Sequence, residues 1–322
     1  MDFSLETLTA AINEIPHLPT QLGDSGLYEY DGVATLSVEI EKKGFDLEVV
    51  STAARGASGE AMGRSTRDIR PFKVPHIPLF DQVLADEVQG VRLFGTADQP
   101  EPLETRINEV LAIGKGRLDY TLEAHRVGGL KGIVYDKDGT VLYNFFTEFG
   151  VVQQTLSFAL GSDATKVRAK CDEALDKSGD VLGGVMMTGA IGWCGKDFFR
   201  GIVDHKETRD SYLGQAEAAQ LRGALPGSFD YGGINFRRYR GKIGATPMIA
   251  DNECYIVPTG VPQLFIGRFA PAPYNETVNT KGLPFYAKAM EKRNGTGYDL
   301  EMQTNPLHVC TRPRAIIKAT VA

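Results

Sequence analysis

The stretch "TGAIGWCGKDFF", residues 188–199, decides between two kinds of fold. Read as a phosphate-binding loop, it makes the chain a nucleotide-binding protein. A P-loop has the pattern G-x-x-x-x-G-K-[ST]: backbone N–H groups cradle phosphate, the Lys reaches the outer phosphates and the hydroxyl holds Mg²⁺. Gly189, Gly192, Gly195 and Lys196 are present, but Ala190 stands where the first Gly belongs and Asp197 follows the Lys. A carboxylate there repels phosphate. In the first turn of a helix the same carboxylate is favoured by the helix dipole. Phe198, Phe199, Ile202 and Val203, with Tyr212 beyond, then share a helical face. The stretch is read as the opening of a helix. A soluble enzyme with a degenerate nucleotide loop at 189–196 is the alternative.

Upstream, "EPLETRINEVLAIGKGRLDYTLEAHRVGG" (101–129) is the most helical segment. Pro102 suits a first turn, Glu101 and Glu104 favour the positive end of the dipole, and Gly128–Gly129 offer a stop. Leu103, Ile107, Val110, Leu111, Leu118 and Leu122 make one stripe. Gly114 and Gly116 each cost such a helix about 1 kcal/mol, so a kink or a close contact is expected there. A further helix is expected around Gln82 to Leu93. "GIVYDKDGTVLY" (132–143) reads as a hairpin turning at Asp138–Gly139, and "SDATKVRAKCDEAL" (162–175) as a helix capped by Ser162 or Asp163. Gly139 falls at the wrong position for a calcium loop.

The N-terminal third differs. Residues 1–30 are punctuated by Pro16, Pro19, Gly23 and Gly26, and read as an extended arm. "VATLSVEIE" (33–41) alternates strictly: Ala34, Leu36, Val38 and Ile40 against Thr35, Ser37, Glu39 and Glu41. After the turn "EKKG", Phe45, Leu47 and Val49 oppose Asp46 and Glu48. This predicts a hairpin with one apolar and one acidic face. The glycine-rich segment after it brings Arg55, Arg64, Arg67, Arg70 and Lys73. No core lies nearby in sequence, so the hairpin and basic loop read as a protruding arm with partners on another chain.

Composition excludes several classes. At 322 residues with net charge −6, the chain is long enough for two lobes and too acidic for a whole-protein nucleic-acid footprint. No apolar run approaches a membrane span, and the first residues carry acids where a secretory signal needs Lys or Arg. Cys171, Cys194, Cys254 and Cys310 form no C-x-x-C pair and have no His at metal spacing. Buried thiols made in a reducing cytosol are expected, with pairing outside a cell left open. No catalytic motif is present, and no catalytic, cofactor or metal residue is assigned.

Taken in order, "AINEIPHLPTQLGDSGLY", "RPFKVPHIPLFDQVLADEVQGVRLFG", "TLEAHRVGGLKGIVYDKDGT", "NFFTEFG", "FDYGGINFRRYRG" and "YDLEMQTNPLHVCTRPRAII" resemble the tailed-phage major capsid protein E family, the lambda-type shell proteins, over nearly the full length. The resemblance implies an α+β, HK97-like fold: an N-terminal arm (1–30), an extended loop (31–75), a peripheral domain (76–180) with a spine helix at about 102–127, an axial domain (181–296) and a return strand (297–322). It implies a structural subunit, not an enzyme, that forms hexamers and pentamers of an icosahedral shell around double-stranded DNA without reading its sequence. Implied partners are a scaffold, a portal and a decoration protein, with no membrane. The implied location is the virion, after assembly in the host cytoplasm. Extended-loop contacts between subunits are expected at Glu39, Glu41, Asp46, Glu48, Arg55, Arg64, Arg67, Arg70 and Lys73.

Overall fold

The computed structural model describes residues 4–18, 20–42, 68–89, 91, 102–183, 185–213 and 227–322; the side chains of 41, 42, 68, 69, 212 and 213 are not included. The chain opens with helix α1 (Leu5–Glu14) and strands β1 (Glu29–Gly32) and β2 (Ser37–Lys42). Strands β3 (Asp68–Lys73) and β4 (Ile77–Leu84) precede the short α2 (Ala85–Val88) and the long α3 (Leu103–Lys131). Hairpin β5 (Ile133–Tyr135) and β6 (Val141–Asn144) leads through α4 (Phe145–Glu148) and β7 (Gln154–Ser157) to α5 (Val167–Leu182). Then come β8 (Gly189–Cys194), α6 (Lys196–Asp204) and α7 (Lys206–Leu213). Strands β9 (Ser228–Tyr231), β10 (Ile234–Arg238), β11 (Lys242–Ile243), β12 (Thr246–Pro247), β13 (Glu253–Thr259) and β14 (Phe265–Phe269) follow. The last strands are β15 (Tyr286–Glu291), β16 (Gly297–Thr304), β17 (Pro306–Cys310) and β18 (Ile317–Thr320).

Two compact units result. The first comprises 1–39, 71–126 and 266–308. Its centre is the antiparallel sheet β15-β16-β4. One face of that sheet, with Val83, Ala287, Leu300 and Met302, shares a core with Leu8 and Ile12 of α1 and Ile107, Val110, Leu111, Leu118 and Leu122 of α3. The apolar stripe read from the sequence is thus the buried face of the long helix. Gly114 is there for a close contact, since a Cβ would collide with the Met302 thioether. Gly116 has open space around it; nothing in the structure explains it.

The second unit comprises 40–70, 127–265 and 309–322. A six-stranded mixed sheet, β7-β18-β13-β8-β10-β9, organises it. Ala190, Cys194, Ile234, Phe236, Cys254 and Ile256 pack with Val167, Cys171 and Ala174 of α5 and Phe198, Phe199, Ile202 and Val203 of α6. The stretch that opened the question is therefore the central strand β8 followed by α6.

Several expectations change. The N-terminal segment is not wholly extended. Leu5, Leu8, Thr9 and Ile12 are buried at helical spacing, and the Ser4 hydroxyl caps α1 by accepting from Thr7 N–H; the proline and glycine punctuation starts only at Pro16. Over its described residues, the helix expected at 82–93 is instead the end of β4 and one turn of helix. β4 pairs with β16 along its whole length, Ile77↔Thr304 to Leu84↔Gly297, so a distant partner overrides local preference. The long helix runs past Gly128–Gly129 to Lys131 and stops at Gly132, whose φ of +83° suits a glycine after a helix end. The cap of α5 is Lys166, not Ser162 or Asp163. The helix after Gly195 breaks at His205, which is extended (ψ 140°). Hairpin β5–β6 turns where expected.

The extended-loop ribbon also changes. β2 pairs with β3, inside what reads as a basic loop, and Val74 N–H donates to Leu36 C=O at its base (2.9 Å). The expected second strand at 45–49 lies outside the described residues. Val38 and Ile40 on β2, Phe72 on β3 and the adjoining Val74 are already buried, whereas Leu36 is 68% exposed. The apolar face is thus partly covered within the chain itself.

Candidate assembly surfaces and the arm clamp

Of the residues expected at subunit contacts, Glu39 and Lys73 are exposed and Arg70 is half-buried. The Arg70 guanidinium lies 5.9 Å from the centre of the Phe149 ring, so it packs within its own chain. The Glu41 side chain and Asp46, Glu48, Arg55, Arg64 and Arg67 lie outside the described residues.

Sequence reading missed a buried polar clamp between the arm and α3. The described residues of 15–28 form no strand, so their backbone groups need other partners. Lys115, Asp119, Glu123 and Arg126 supply them. At 100° per residue these four span an arc of about 80° on α3, beside the apolar stripe. Lys115 Nζ donates to Ile15 O. Leu18 N–H donates to Asp119 Oδ2 (3.0 Å). Leu22 N–H and Gly23 N–H donate to the two oxygens of Glu123 (2.8 and 3.1 Å). The Tyr28 hydroxyl donates to Arg126 O (2.6 Å), and Arg126 Nε donates to the Tyr30 hydroxyl (2.7 Å). Arg126 also pairs with Glu123 (3.4 Å).

Lys115, Asp119 and Glu123 are all buried. Burial pushes the Asp119 carboxyl up, against the pull of Leu18 N–H and Lys115. Burial pulls Lys115 down, against the attraction of Asp119. The arm is tied to itself by His17 Nε2 and Asp24 Oδ1 at 2.6 Å, a bond that lowers the Asp24 carboxyl. At its far end His308 is buried edge-on to Tyr28 and Tyr30, with ring centres 5.2 and 5.9 Å away and no hydrogen-bond partner for either ring nitrogen. Burial drives this imidazole well below its ordinary value; Arg126 and His125 add to the fall. A charge spacing of i, i+4, i+8 also marks any solvated helix face, so the clamp carried no distinctive signal.

A second surface is open. β4 is an edge strand of its sheet among the described residues. It carries Phe80, 68% exposed, and exposed Asp81, with exposed Asp86 and Glu87 on α2 just beyond. Glu87 lies 3.6 Å from Arg106. The edge is thus acidic around one exposed aromatic ring.

The stretch 189–196 has no phosphate cradle. β8 lies between β13 and β10. Gly195 N–H donates to Glu253 O, and the N–H groups of Asp197 and Phe198 both donate to Asp251 O (2.8–2.9 Å). The donors a nucleotide would need are taken. Among the described residues no cluster of His, Cys, Asp or Glu could hold a metal ion, and no helix is long and apolar enough to cross a membrane.

Comparison with known proteins agrees with this geometry. A family model described as phage major capsid protein E matches residues 4–321. The major capsid protein of Salmonella phage Felix O1 is 24% identical, covering 98% of this chain and 95% of its own. That of Pseudomonas phage KPP10 is 25% identical, covering 100% and 97%. A putative capsid protein of a prophage from E. coli CFT073 is similar in structure, with a TM-score of 0.57 at 13% identity over the whole of both chains. The mature capsid of bacteriophage PhiM1 gives 0.53 at 11% identity, over 95% of this chain and 88% of its own.

Proposed function

Because the chain belongs to the phage major capsid protein E family, we propose that it closes into hexamers and pentamers, which then close into a shell around double-stranded DNA. Its fold is HK97-like, and it is a structural subunit of a phage capsid rather than an enzyme. The observation that carries this reading is the family match along nearly the whole chain. Heterologous contacts that repeat around a ring are the natural mechanism for such assembly. A scaffold, a portal and a decoration protein are the partners of that process, and the host cytoplasm is its place.

In this reading 1–30 is the arm, 31–75 the extended loop, 76–180 the peripheral domain with α3 as its spine, 181–296 the axial domain and 297–322 the returning segment. The basic loop of one subunit docks on the acidic β4–α2 edge of the next. Two features support that docking. Between residues 51 and 75 the chain carries Arg55, Arg64, Arg67, Arg70 and Lys73 against only Glu60 and Asp68. Asp81, Asp86 and Glu87 are exposed around Phe80, which a partner would cover.

The test is electron microscopy of the expressed chain with and without scaffold, together with a charge reversal. Arg55→Glu with Arg67→Glu leaves the monomer's circular dichroism and melting unchanged and blocks closed shells or makes them salt-fragile. Arg70 is left alone because it packs on Phe149. Asp81→Lys with Glu87→Lys restores part of the assembly, as charge complementarity requires. If the doubly reversed loop still forms salt-resistant shells, the docking assignment is wrong. If no variant, wild type included, forms particles with scaffold, the shell reading fails.

A further inference from the structure

The sulfurs of Cys194 and Cys254 lie 3.2 Å apart in the core of the second unit. The two residues are 60 positions apart in sequence and directly opposite on β8 and β13. Their neighbours Gly195 and Glu253 share a ladder hydrogen bond (2.8 Å). Cys194 and Cys254 therefore occupy the alternate, non-hydrogen-bonded position, where Cα atoms approach to about 4.5 Å. That is within the range of about 4.4–6.8 Å that a disulfide spans. Closing the sulfurs to a bond length of about 2.05 Å asks each to move roughly 0.6 Å. Gly192 leaves room for this: a Cβ there would stand 3.1 Å from Cys254 Sγ and 2.8 Å from the Phe236 ring.

We propose that Cys194 and Cys254 are a modification site, a dithiol that peroxide-class oxidants convert to a cross-strand disulfide joining the two central strands of the six-stranded sheet. In the first step the O–O bond of the peroxide breaks, one sulfur takes an oxygen as a sulfenic acid, and water leaves. In the second, the other sulfur attacks that sulfur. The S–S bond forms, the S–O bond breaks, and the hydroxyl leaves as water with the second thiol's proton. Two electrons pass from the thiol pair to the peroxide. Both thiols are buried, and burial pushes the Cys254 thiol up, so the pair stays reduced in a reducing cell interior and closes slowly outside it. Cys171 and Cys310 are buried too, their thiols pushed up to about 12.

The test uses purified chain and particles treated with hydrogen peroxide, in buffer and in guanidine just below the unfolding midpoint, where buried sites open. Thiols are counted after full denaturation, and peptides are mapped by mass. The count is expected to fall from four to two, with one peptide pair joining 194 and 254. Cys171→Ser should give a fall from three to one, and Cys194→Ser should retain all three. Oxidised particles should also melt at higher temperature, and reductant should reverse the shift. Four thiols surviving in the guanidine arm, links through Cys171 or Cys310, or sulfinic acid at 194 or 254 without a link, would each overturn the assignment.

Discussion

The two units hold their long elements in place by opposite means. In the second, α5 and α6 lie on the six-stranded sheet through apolar side chains and thiols, with Phe198 and Phe236 6.4 Å apart at its centre. In the first, α3 has that kind of face toward its sheet and a second face of buried charge toward the arm. The difference follows from what each face must satisfy. A sheet has already paired its backbone, so a helix can meet it with hydrocarbon. The described residues of the arm at 15–28 have no strand partner for their N–H and C=O groups, so the helix meets several of them with carboxylates and an ammonium. Apolar burial fixes where layers stack; the charged clamp fixes which stretch of arm lies where.

Breaking the apolar side should have the largest effect. Phe198 is fully buried, and Phe198→Ala should lower stability by about 3–5 kcal/mol, the usual loss for a large aromatic core side chain. The guanidine midpoint of the isolated chain measures it. A loss under about 1 kcal/mol would mean that the α6 face is not a real core.

Breaking the clamp comes next. Glu123→Ala removes the acceptor of two backbone N–H groups and leaves Arg126 partly buried without this partner. A loss of about 3 kcal/mol is expected, with faster proteolysis confined to 15–28. Glu123→Gln, which keeps one acceptor oxygen, should recover part of it. Equal, small effects from both variants would show that the Glu123 carboxylate does not hold the arm.

These two sites also differ in how far sequence reveals them. Phe198, Phe199, Ile202 and Val203, and the stripe from Leu103 to Leu122, announce themselves by period. Hairpin β5–β6 announces itself by Asp-Gly. Lys115, Asp119 and Glu123 have the same spacing as a solvated face, and only the arm lying across them turns them inward. The helix α1 is legible only if Leu5, Leu8 and Ile12 are weighed before the prolines that follow. β4 and β3 were hidden because their partners, β16 and β2, are distant or lie across a glycine-rich segment. The strands of a sheet are decided by pairings that a local window does not contain.

A smaller effect sharpens the comparison through pH. His308 has its folded pKa well below the unfolded value of about 6.5. The unfolded chain therefore binds the proton first. The stability that depends on neutral His308 is complete above about pH 6.5 and is lost as pH falls below it, by at most about 1.4 kcal/mol per pH unit. Among the described residues the groups that act on it are Tyr28, Tyr30, Arg126 and His125, and none is a carboxylate that could hold the imidazolium. Asp119 acts with the opposite sign: its folded pKa is raised, so its cost is present above that value and disappears as pH falls through it. Acid sensitivity of the arm between pH 6.5 and 5 should thus vanish in His308→Phe and persist in Asp119→Asn. Melting against pH for the three chains decides it, and an unchanged slope in His308→Phe would reject the assignment.

The smallest effect concerns Lys196 and Asp197, where the apolar helix begins. Both side chains are exposed. Asp197 sits in the first turn of α6, and its worth there is that of a surface carboxylate near a helix N-terminus, about 0.3–1 kcal/mol. Asp197→Asn should lower stability by that amount and no more. Lys196→Ala should change it by less than about 0.5 kcal/mol, because nothing folds around the ammonium. Neither change should alter the response to ATP, since the backbone donors that would cradle a phosphate already serve Glu253 and Asp251. Differential scanning fluorimetry with and without Mg²⁺-ATP measures all three quantities at once. A saturable rise in melting temperature with ATP, abolished by Lys196→Ala, would mean that β8 and α6 open into a nucleotide loop, and the contrast between an apolar core here and a charged clamp in the other unit would need to be redrawn.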